Sequence, residues 1–472
     1  MRDLKEKYPS KARLFSVICM ICILFTSVFA FSSCNSETSP GVLSASINEN
    51  GELILIYQDG TEHNLGVVVG QDGKDGADGV DGEDGKDGAD GTSNSSGSIV
   101  INNENGSSTA FAASKALRSA VSIVCNFTKT VQTSGHRPGS NNTSTSSYSS
   151  AGSGVIYELD MEEGDAFIIT NYHVVYDSSS NTANGVSDDI SVYLYGSEDD
   201  DMAMKATYVG GSLYYDIAVL YIDDSDTLKS SCAAEVDVAN SEEIVVGNTA
   251  IAIGNAAGYG ISASFGAVSV DSEYITMTAA DGSTTVSFRV MRVDTAVNSG
   301  NSGGGLFNDE GKLIGIVNAK IVEDGVENIG YAIPSNVAVS VAENIIKYCY
   351  ETEVESVQRC ILGITVSSSG SHAVFDSVSG TIRIEETVSV YEITDGALAE
   401  GVLQEGDVIV SASVTKADAG ESFTKEITRQ YHIIDLVLDV HVGDSLVFTV
   451  LRDGNLTILD GIVITEDCII SY

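Results

Sequence analysis

Three segments of this chain carry side chains whose types and surroundings could support nucleophilic catalysis. Ser302 lies in the glycine-rich segment NSGNSGGG, His173 ends the apolar run AFIITNYH, and Asp216 precedes the apolar run IAVLYI. A serine hydroxyl is a weak nucleophile, so it requires a base that accepts its proton and a third group that holds this base in the correct tautomer. Ser302, His173 and Asp216 are therefore candidates for one cooperating group.

The remaining histidines and acidic residues offer poorer candidates. Of the six histidines, His173 alone ends a strand-like apolar run in the central part of the chain. The others lie before a triplet repeat, in a polar segment or in the C-terminal third: His63, His136, His372, His432 and His441. Most of the 67 acidic residues should be solvated, but a carboxylate beside a buried run needs a polar partner. His173 would be a suitable partner for Asp216.

The glycines around Ser302 permit an unusual backbone path. They allow the amides of Gly300 and Ser302 to point at one place, which is the geometry of an oxyanion hole. A phosphate-binding loop is not indicated, because no lysine follows and the GxxxxGK pattern is absent. A glycine-rich surface turn without catalytic function remains the alternative.

Composition and pattern predict a mainly β protein with more than one domain. The chain has 472 residues, no tryptophan, 47 glycines and many strand-forming residues. Strand-like runs dominate from about residue 110 to 346, where an amphipathic helix that opens at Ser335 should close the domain. Residues 130–150 are too polar to pack, so we expect a mobile loop there. A third region from about residue 356 has short strands, a second amphipathic helix and a hairpin at Asp453 and Gly454.

The charge and cysteine content exclude several classes of function. With 24 basic and 67 acidic residues the net charge is −43, which argues against binding to nucleic acids or anionic lipid head groups. Beyond the N-terminal segment the cysteines are odd in number and lack CxxC spacing, so neither a disulfide framework nor a zinc site is indicated: Cys125, Cys232, Cys349, Cys360 and Cys468. No metal or other cofactor is expected.

The N-terminus has the pattern of an export signal. Five basic residues within positions 1–13 precede the uncharged apolar run 14–31. The following FSSC resembles a bacterial lipobox, in which Cys34 would be acylated and become the mature N-terminus, although the position of Phe31 usually holds leucine. Cleavage after Ala30 and an uncleaved membrane anchor are the alternatives. All three place the rest of the chain outside the cytoplasm.

Two further segments lie between the signal and the strand-rich region. Residues 47–69 predict a small strand module with a tight turn at Asp59 and Gly60. Glycine then recurs at every third position from 70 to 91, the period of a collagen triple helix. The repeat has no proline and its aspartates would repel one another across three chains, so a solvated spacer is equally compatible.

The strand-rich region resembles the HtrA/Deg family of trypsin-like serine proteases. The matching segments keep the family's order of His, Asp and Ser: ITNYHVV, YYDIAVL, VGNTAIAIGNAAGYGISASFGAVS, DTAVNSGNSGGG and NIGYAIPSN. The resemblance implies a double β-barrel with His173 as general base and Asp216 as its orienting group on the first barrel, and Ser302 as nucleophile on the second. It also implies an oxyanion hole at the amides of Gly300 and Ser302, cleavage of misfolded or exposed proteins, and a homotrimer as the minimum assembly.

Several positions bear on how such an enzyme would be controlled and what it would cut. Gly305 replaces the family's proline, and Tyr172 stands where a small or polar residue is common. The neutral Asn301 cannot form the ion pair with a new N-terminus that activates digestive trypsin-like enzymes. Activation by N-terminal cleavage is therefore not expected. The resemblance implies control by mobile loops and trimer contacts instead, with 130–150 as the regulatory loop or as an insertion without a partner. The specificity pocket is expected near residues 318–320 and before Asn298, where the absence of an evident buried acid favours small or medium apolar side chains.

The C-terminal region resembles an α+β PDZ domain of this family. The segment RCILGI resembles the carboxylate-binding loop, so the resemblance implies that Ile361, Leu362, Gly363 and Ile364 capture a peptide C-terminus while the peptide adds as a strand. GALAEGVLQEGDVIV and VGDSLVFTVLRDG provide further matches.

These observations predict five segments. They are a signal, lipobox or anchor at 1–34, a small β module at 35–69, the triplet repeat and linker at 70–109, the protease domain at 110–352 and the PDZ domain at 353–472. The predicted function is that of an extracytoplasmic serine endopeptidase. A narrow signalling protease and a catalytically silent surface-binding protein are the alternatives.

Overall fold

The computed structural model describes residues 42–47, 52–57, 61–67, 108–134, 141–197, 199–319, 329–350, 357–417 and 420–471. The chain divides into two compact units, Met1–Ile99 and Val100–Tyr472. Several sequence-based predictions fall outside the described residues: the apolar run 14–31, Cys34, the turn at Asp59 and Gly60, the glycine triplets and Lys320. Within the part of the chain that is described, no helix is long and apolar enough to span a membrane.

The first unit contains a three-stranded antiparallel sheet. Its strands are β1 (Val42–Ile47), β2 (Glu52–Tyr57) and β3 (Glu62–Val67), in the order β1-β2-β3. The sequence predicted a strand module from residue 47. The observed sheet begins earlier because the segment VLSASI also alternates apolar and polar residues, the period of a strand with two different faces.

The second unit contains a closed six-stranded barrel, which follows a short helix. After helix α1 (Ser108–Leu117), the barrel has the order β4-β5-β6-β9-β8-β7. Along β4 the alternate residues from Val121 to Phe127 are buried, which is the period-two pattern of a strand with one face toward a core. The strands are β4 (Ala120–Ser134), β5 (Asn141–Asp160), β6 (Asp165–Thr170), β7 (Asp189–Leu194), β8 (Met204–Ser212) and β9 (Ile217–Ile222). The four-residue helix α2 (Tyr172–Val175) follows β6, and α3 (Asp226–Lys229) follows β9.

A second closed barrel follows, so the predicted mainly β, trypsin-like architecture is confirmed. Its order is β10-β11-β12-β15-β14-β13. The strands are β10 (Thr249–Gly254), β11 (Ser262–Thr278), β12 (Thr285–Val293), β13 (Gly305–Phe307), β14 (Leu313–Val317) and β15 (Gly330–Pro334). Helix α4 (Ser335–Ile345) buries Val337, Val341 and Ile345 as the sequence pattern predicted, and a π-helical turn (Ile346–Tyr350) continues it.

The prediction of a mobile loop at residues 130–150 is wrong for the residues that are described. Strands β4 and β5 continue as a two-stranded ribbon, with Thr130 opposite Thr145 and Ser134 opposite Asn141. A ribbon of this kind forms backbone hydrogen bonds without a hydrophobic core, and threonine favours extended backbone. The polarity of the segment therefore excludes burial but not strand pairing. Near its base, Tyr148 stacks on Phe127 with ring centroids 5.6 Å apart.

The described part of the C-terminal region, residues 357–417 and 420–471, contains a β-sheet and one α-helix. The sheet has the order β17-β18-β19-β21-β22, with β20 beside β19 and β23 beside β21, while β16 pairs separately with β24. Helix α5 (Gln430–Asp439) corresponds to the predicted second amphipathic helix, and the predicted hairpin turn has positive φ at Asp453 and Gly454. The strands are β16 (Gln358–Cys360), β17 (Ile364–Asp376), β18 (Thr381–Ile393), β19 (Val408–Thr415), β20 (Ser422–Glu426), β21 (Ser445–Arg452), β22 (Asn455–Ile458), β23 (Ile462–Val463) and β24 (Ile469–Ser471).

A buried ion pair joins the second barrel to the C-terminal region. Arg289 of β12 donates to Asp435 of α5 at 2.5 Å, and the side chains are 2% and 7% exposed. The guanidinium also lies over the ring of Tyr431, 4.1 Å from its centroid. Burial raises the pKa of the Asp435 carboxyl, and the adjacent Arg289 opposes this rise. Removing either side chain would leave an uncompensated buried charge, which typically lowers the free energy of unfolding by about 3–5 kcal/mol.

His432, next to Tyr431 on the same helix, makes stability dependent on pH. Its Nδ1 accepts the backbone N–H of Thr428 at 3.2 Å. Burial lowers the pKa of His432 to about 4; Lys425, Arg289 and Arg429 act in the same direction and Glu242 opposes them. An unfolded histidine has a pKa near 6.5, so the unfolded chain binds this proton more readily than the folded protein does. This contribution to stability is present above about pH 6.5 and is lost as the pH falls toward 4.

We expect the thermal unfolding temperature of the wild type to fall between pH 6.5 and 4.5 more steeply than that of His432→Gln. The lowered pKa of His432 contributes about 3 kcal/mol to the pH dependence of the free energy of unfolding. The exposed His372 provides the matched control, and His372→Gln should keep the wild-type slope. Parallel pH profiles for wild type and His432→Gln would contradict the assignment.

Candidate active site

Asp216 and His173 form a directly hydrogen-bonded pair in the first barrel. The imidazole Nδ1 lies 2.6 Å from Asp216 Oδ2, and the backbone N–H of His173 donates to Oδ1 at 2.9 Å. His173 is in α2, directly after β6, whereas Asp216 precedes β9 and has a positive φ of 53°. Both strands are neighbours in the barrel, so the ends of two adjacent strands bring the pair together. The carboxylate thus fixes the ring orientation and leaves Nε2 for another partner.

Two asparagines complete the surroundings of Asp216. Asn171, the residue before α2, donates from Nδ2 to the Asp216 carbonyl at 2.8 Å. Asn318 lies just after β14 of the second barrel, is fully buried and donates from Nδ2 to Asp216 Oδ2 at 2.7 Å. The sequence predicted Asn318 only near the specificity pocket. Its contact with Asp216 was missed because a polar residue after an apolar strand does not reveal which distant carboxylate it meets.

Ser302 lies in the turn between β12 and β13 and is held against the first barrel. Its carbonyl accepts the N–H of Ser153 of β5 at 2.8 Å. The Ser153 hydroxyl donates to the Gly300 carbonyl at 2.7 Å and accepts the Asn255 N–H at 2.8 Å. Ser153 therefore joins the two barrels at the candidate nucleophile. No feature of the sequence singled it out.

The candidate nucleophile is close to the pair but is not hydrogen-bonded to it in the described contacts. A Cβ on Gly303, the residue after Ser302, would lie 2.9 Å from the backbone nitrogen of Asn171, two residues before His173. The hydrogen bonds of Ser302 run through its backbone, and that of the His173 ring runs to Asp216. Catalytic Ser-His hydrogen bonds are often long in unliganded enzymes and tighten when substrate binds.

The backbone of the Ser302 turn engages some of its amides in hydrogen bonds and leaves others out of them. Gly300 and Gly303 have φ values of 95° and 82°, which favour glycine. The amides of Asn301, Gly303 and Gly304 donate to the carbonyls of Asn298, Val317 and Asn301, respectively. These bonds fix the turn without engaging the amides of Gly300 or Ser302, the two predicted for the oxyanion hole.

Comparison with known proteins gives the family. A family model described as "Trypsin-like peptidase domain" matches residues 152–316, which include His173, Asp216 and Ser302. The "Serine protease Do-like HtrA" of Lactococcus lactis subsp. cremoris is 34% identical over 316 residues, which are 65% of this chain and 69% of that protein. The chain belongs to the HtrA family of serine proteases. The protein of the same name from Bacillus subtilis is 31% identical over 327 residues, 67% of this chain and 64% of that protein.

Solved HtrA-type structures are also similar to this chain. The structure titled "HtrA-type protease AlgW with decapeptide" is 26% identical, covers 76% of this chain and 98% of its own, and has a TM-score of 0.45. As a member of the HtrA family, the chain is a serine protease with a trypsin-like fold.

Both departures from the HtrA pattern have a structural explanation. A Cβ on Gly305 would lie 2.4 Å from the ring of Phe307, so this ring occupies the space that the usual proline would need. The ring of Tyr172 stacks on Tyr176 with centroids 5.0 Å apart, and it packs over Gly211, where an added Cβ would lie 2.6 Å from it. Burial raises the pKa of Tyr172 to about 12. Tyr172 is therefore a neutral packing residue at neutral pH.

The segment predicted to bind peptide C-termini lies between β16 and β17. The Ile361 N–H donates to the Cys468 carbonyl at 2.7 Å, and the carbonyl of the buried Leu362 accepts the Ala399 N–H at 3.1 Å. Gly363 has a φ of 73°, and Ile364 begins β17. Strand β17 is at the edge of the main ladder in the described region, the position that a further strand could extend.

The contacts of Gly303 predict a specific loss of activity on substitution. In Gly303→Ala, the new Cβ would lie 2.2 Å from Thr170 Oγ1 and 2.3 Å from the Ser153 carbonyl, so the Ser302 turn must move. Misplacement of about 1 Å can reduce a rate by roughly 10²-fold, and we expect a comparable loss of kcat/KM for a peptide substrate.

Gly247 supplies the matched control. It has a φ of 94°, but a Cβ there would meet nothing within 4 Å. Gly247→Ala should therefore lower the unfolding temperature slightly and retain most activity, since only the backbone preference is violated. Equal activity of the two variants would contradict the proposed fit of the turn against β5.

Proposed function

We propose that the chain is an extracytoplasmic serine endopeptidase in which Ser302, His173 and Asp216 form the catalytic triad. The observation that carries the proposal is the 2.6 Å contact between His173 Nδ1 and Asp216 Oδ2, beside the turn that carries Ser302. This contact presents the opposite ring nitrogen, Nε2, as the base that a serine nucleophile requires. Membership of the HtrA family independently supports a serine protease.

The mechanism follows from these positions. His173 Nε2 takes the proton of Ser302 Oγ as the oxygen attacks the peptide carbonyl, and the amides of Gly300 and Ser302 stabilise the oxyanion of the tetrahedral intermediate. His173 then protonates the leaving amine, which gives an acyl-enzyme. Water, deprotonated by the same nitrogen, hydrolyses the ester. The carboxylate of Asp216 stabilises the imidazolium in both halves.

Asn318 would limit the freedom of Asp216 during these steps. Its amide donates to Oδ2, the same oxygen that meets His173 Nδ1. Because Asn318 is fully buried on the second barrel, this bond makes the orientation of Asp216 depend on the docking of the two barrels. The substrates are proposed to be misfolded or exposed proteins cut after small or medium apolar residues.

The remaining parts of the proposal concern location and assembly. The basic and apolar N-terminal segment supports export, with acylation at Cys34 as the proposed anchor. The family resemblance supports a homotrimer. The loop at Ile361, Leu362, Gly363 and Ile364 is proposed to capture the carboxylate of a peptide C-terminus, while the peptide pairs with the edge of β17.

An active-site probe tests the nucleophile. A fluorophosphonate should label the wild-type protein at Ser302, and labelling should disappear in Ser302→Ala because the probe requires an activated serine. Ser299 is an exposed serine three residues away in the same turn, so Ser299→Ala should be labelled like the wild type. Failure of the wild type to label, under conditions in which an active HtrA-family protease labels, would favour the catalytically silent alternative.

A peptide-binding measurement tests the C-terminal loop. Peptides with a free C-terminal carboxylate should bind the full chain of a Ser302→Ala variant at least about tenfold more tightly than their amidated forms, because a single charge-assisted contact is worth about 1.5–3 kcal/mol. A Cβ on Gly363 would lie 2.1 Å from Cβ of Ala397, so Gly363→Ala should abolish this preference.

Gly380, in the distant turn between β17 and β18, is the control for that substitution. Its φ of 71° is similar, but a Cβ there would meet nothing within 4 Å. Gly380→Ala should retain the preference for the free carboxylate. Equal binding of free and amidated peptides by the wild-type loop would exclude carboxylate capture there.

A further inference from the structure

We propose that Cys360 and Cys468 form a reversible disulfide that links the start of β24 covalently to the segment containing Ile361 and Ile364. The two residues are 108 positions apart in sequence and are free thiols in the structure. Their pairing does not depend on the proposed peptide capture. It would make the segment between β16 and β17 sensitive to the redox state of its surroundings.

The backbone already brings the two cysteines together. Strands β16 and β24 form a short antiparallel ladder in which Cys360 is the cross-strand partner of Ile469, the residue after Cys468. The next residue along the chain from β16, Ile361, donates its N–H to the Cys468 carbonyl at 2.7 Å. Cys360 and Cys468 are thus offset by one position across the ladder, and Cys468 ends the 3₁₀ turn Glu466–Cys468 directly before β24. A bridge would bring the two Cα atoms to about 4.4–6.8 Å, so the turn that contains Cys468 would adjust rather than the ladder.

The two side chains also lie against the same core. Cys360 is 1% exposed and belongs to the hydrophobic core of the C-terminal region. Cys468 is partly buried and packs against the same core. Burial, followed by interaction with the Cys468 thiol through charge and a side-chain hydrogen bond, raises the pKa of Cys360 to about 12. The Cys468 thiol also donates to the Thr465 carbonyl at 2.7 Å. The two thiols are therefore neighbours, and one of them is more accessible.

This difference in exposure sets the order of the chemistry. The Cys468 thiolate attacks a sulfur of a low-molecular-weight disulfide, forms a mixed disulfide and releases one thiolate. The Cys360 thiolate then attacks the Cys468 sulfur, forms the internal bridge and releases the second thiolate. The protein loses two electrons and two protons, and the oxidant is reduced to two thiols. Because Cys360 is buried and protonated, its step should be slower and should accelerate with rising pH.

The bridge would reinforce a weak part of the fold. The ladder of β16 and β24 has three residue pairs, and isolated two-stranded ladders of that size are marginally stable. A covalent link would suppress local opening of this ladder and of the segment that begins at Ile361. The nearly inaccessible Cys360 sulfur would leave reductants only the Cys468 side to attack.

Peptide mapping of the oxidised full chain tests the proposal. The purified protein is incubated with oxidised glutathione, its remaining thiols are alkylated, and it is digested with trypsin. Cleavage after Arg359, Arg383 and Arg452 places the two cysteines in peptides 360–383 and 453–472. We expect to find these two peptides joined by a disulfide. We also expect the backbone amides of residues 361–364 to exchange hydrogen at least about tenfold more slowly in the oxidised chain than in the reduced chain.

Two variants make the result specific. Cys468→Ser should abolish the joined peptide and the change in exchange. Cys349 is half-buried in a separate peptide, 348–359, so Cys349→Ser should retain both effects. Stable glutathione on Cys468 without the joined peptide would overturn the proposal, as would equal joining of Cys360 to other cysteines. Both outcomes are read from thiol chemistry alone, so they are independent of whether the loop binds peptides.

Discussion

The carboxylate of Asp216 is the point on which the candidate active site depends. It accepts the backbone N–H and the ring Nδ1 of His173 in the first barrel and the amide of Asn318 from the second. A 6% exposed carboxylate must find donors within the protein, because burial without partners would cost several kcal/mol. The same requirement that keeps Asp216 satisfied therefore holds the imidazole in one orientation and joins the two barrels.

Ser153 also joins the two barrels, at the turn that carries Ser302. Its N–H, hydroxyl hydrogen and hydroxyl oxygen each have a partner in the second barrel: Ser302, Gly300 and Asn255. Ser153 and Asp216 are both buried, so water does not compete for their hydrogen bonds. The geometry of the Ser302 turn is thus a property of the interface between the barrels, and it would be lost if either barrel were displaced.

The sequence predicted the local features well and the long-range contacts poorly. Strand periodicity, the buried face of α4 and the glycine turn around Ser302 all depend on residues close together in the chain. Chain order and a family resemblance were enough to single out His173, Asp216 and Ser302. The contacts of Ser153 and Asn318, and the proximity of Cys360 to Cys468, arise only when distant strands meet. At 130–150 the error came from treating polarity as evidence against regular structure, whereas a ribbon needs only backbone partners.

The ion pair between Arg289 and Asp435 affects how truncated forms of the protein should be understood. It is almost fully buried and lies where α5 meets the second barrel. A chain that stops before the C-terminal region would present a bare guanidinium, and the apolar surface that α5 covers, to solvent. Loss of proteolysis in such a fragment would therefore measure damage to the barrel together with the loss of the proposed peptide binding. Point substitutions within the intact chain separate the two effects.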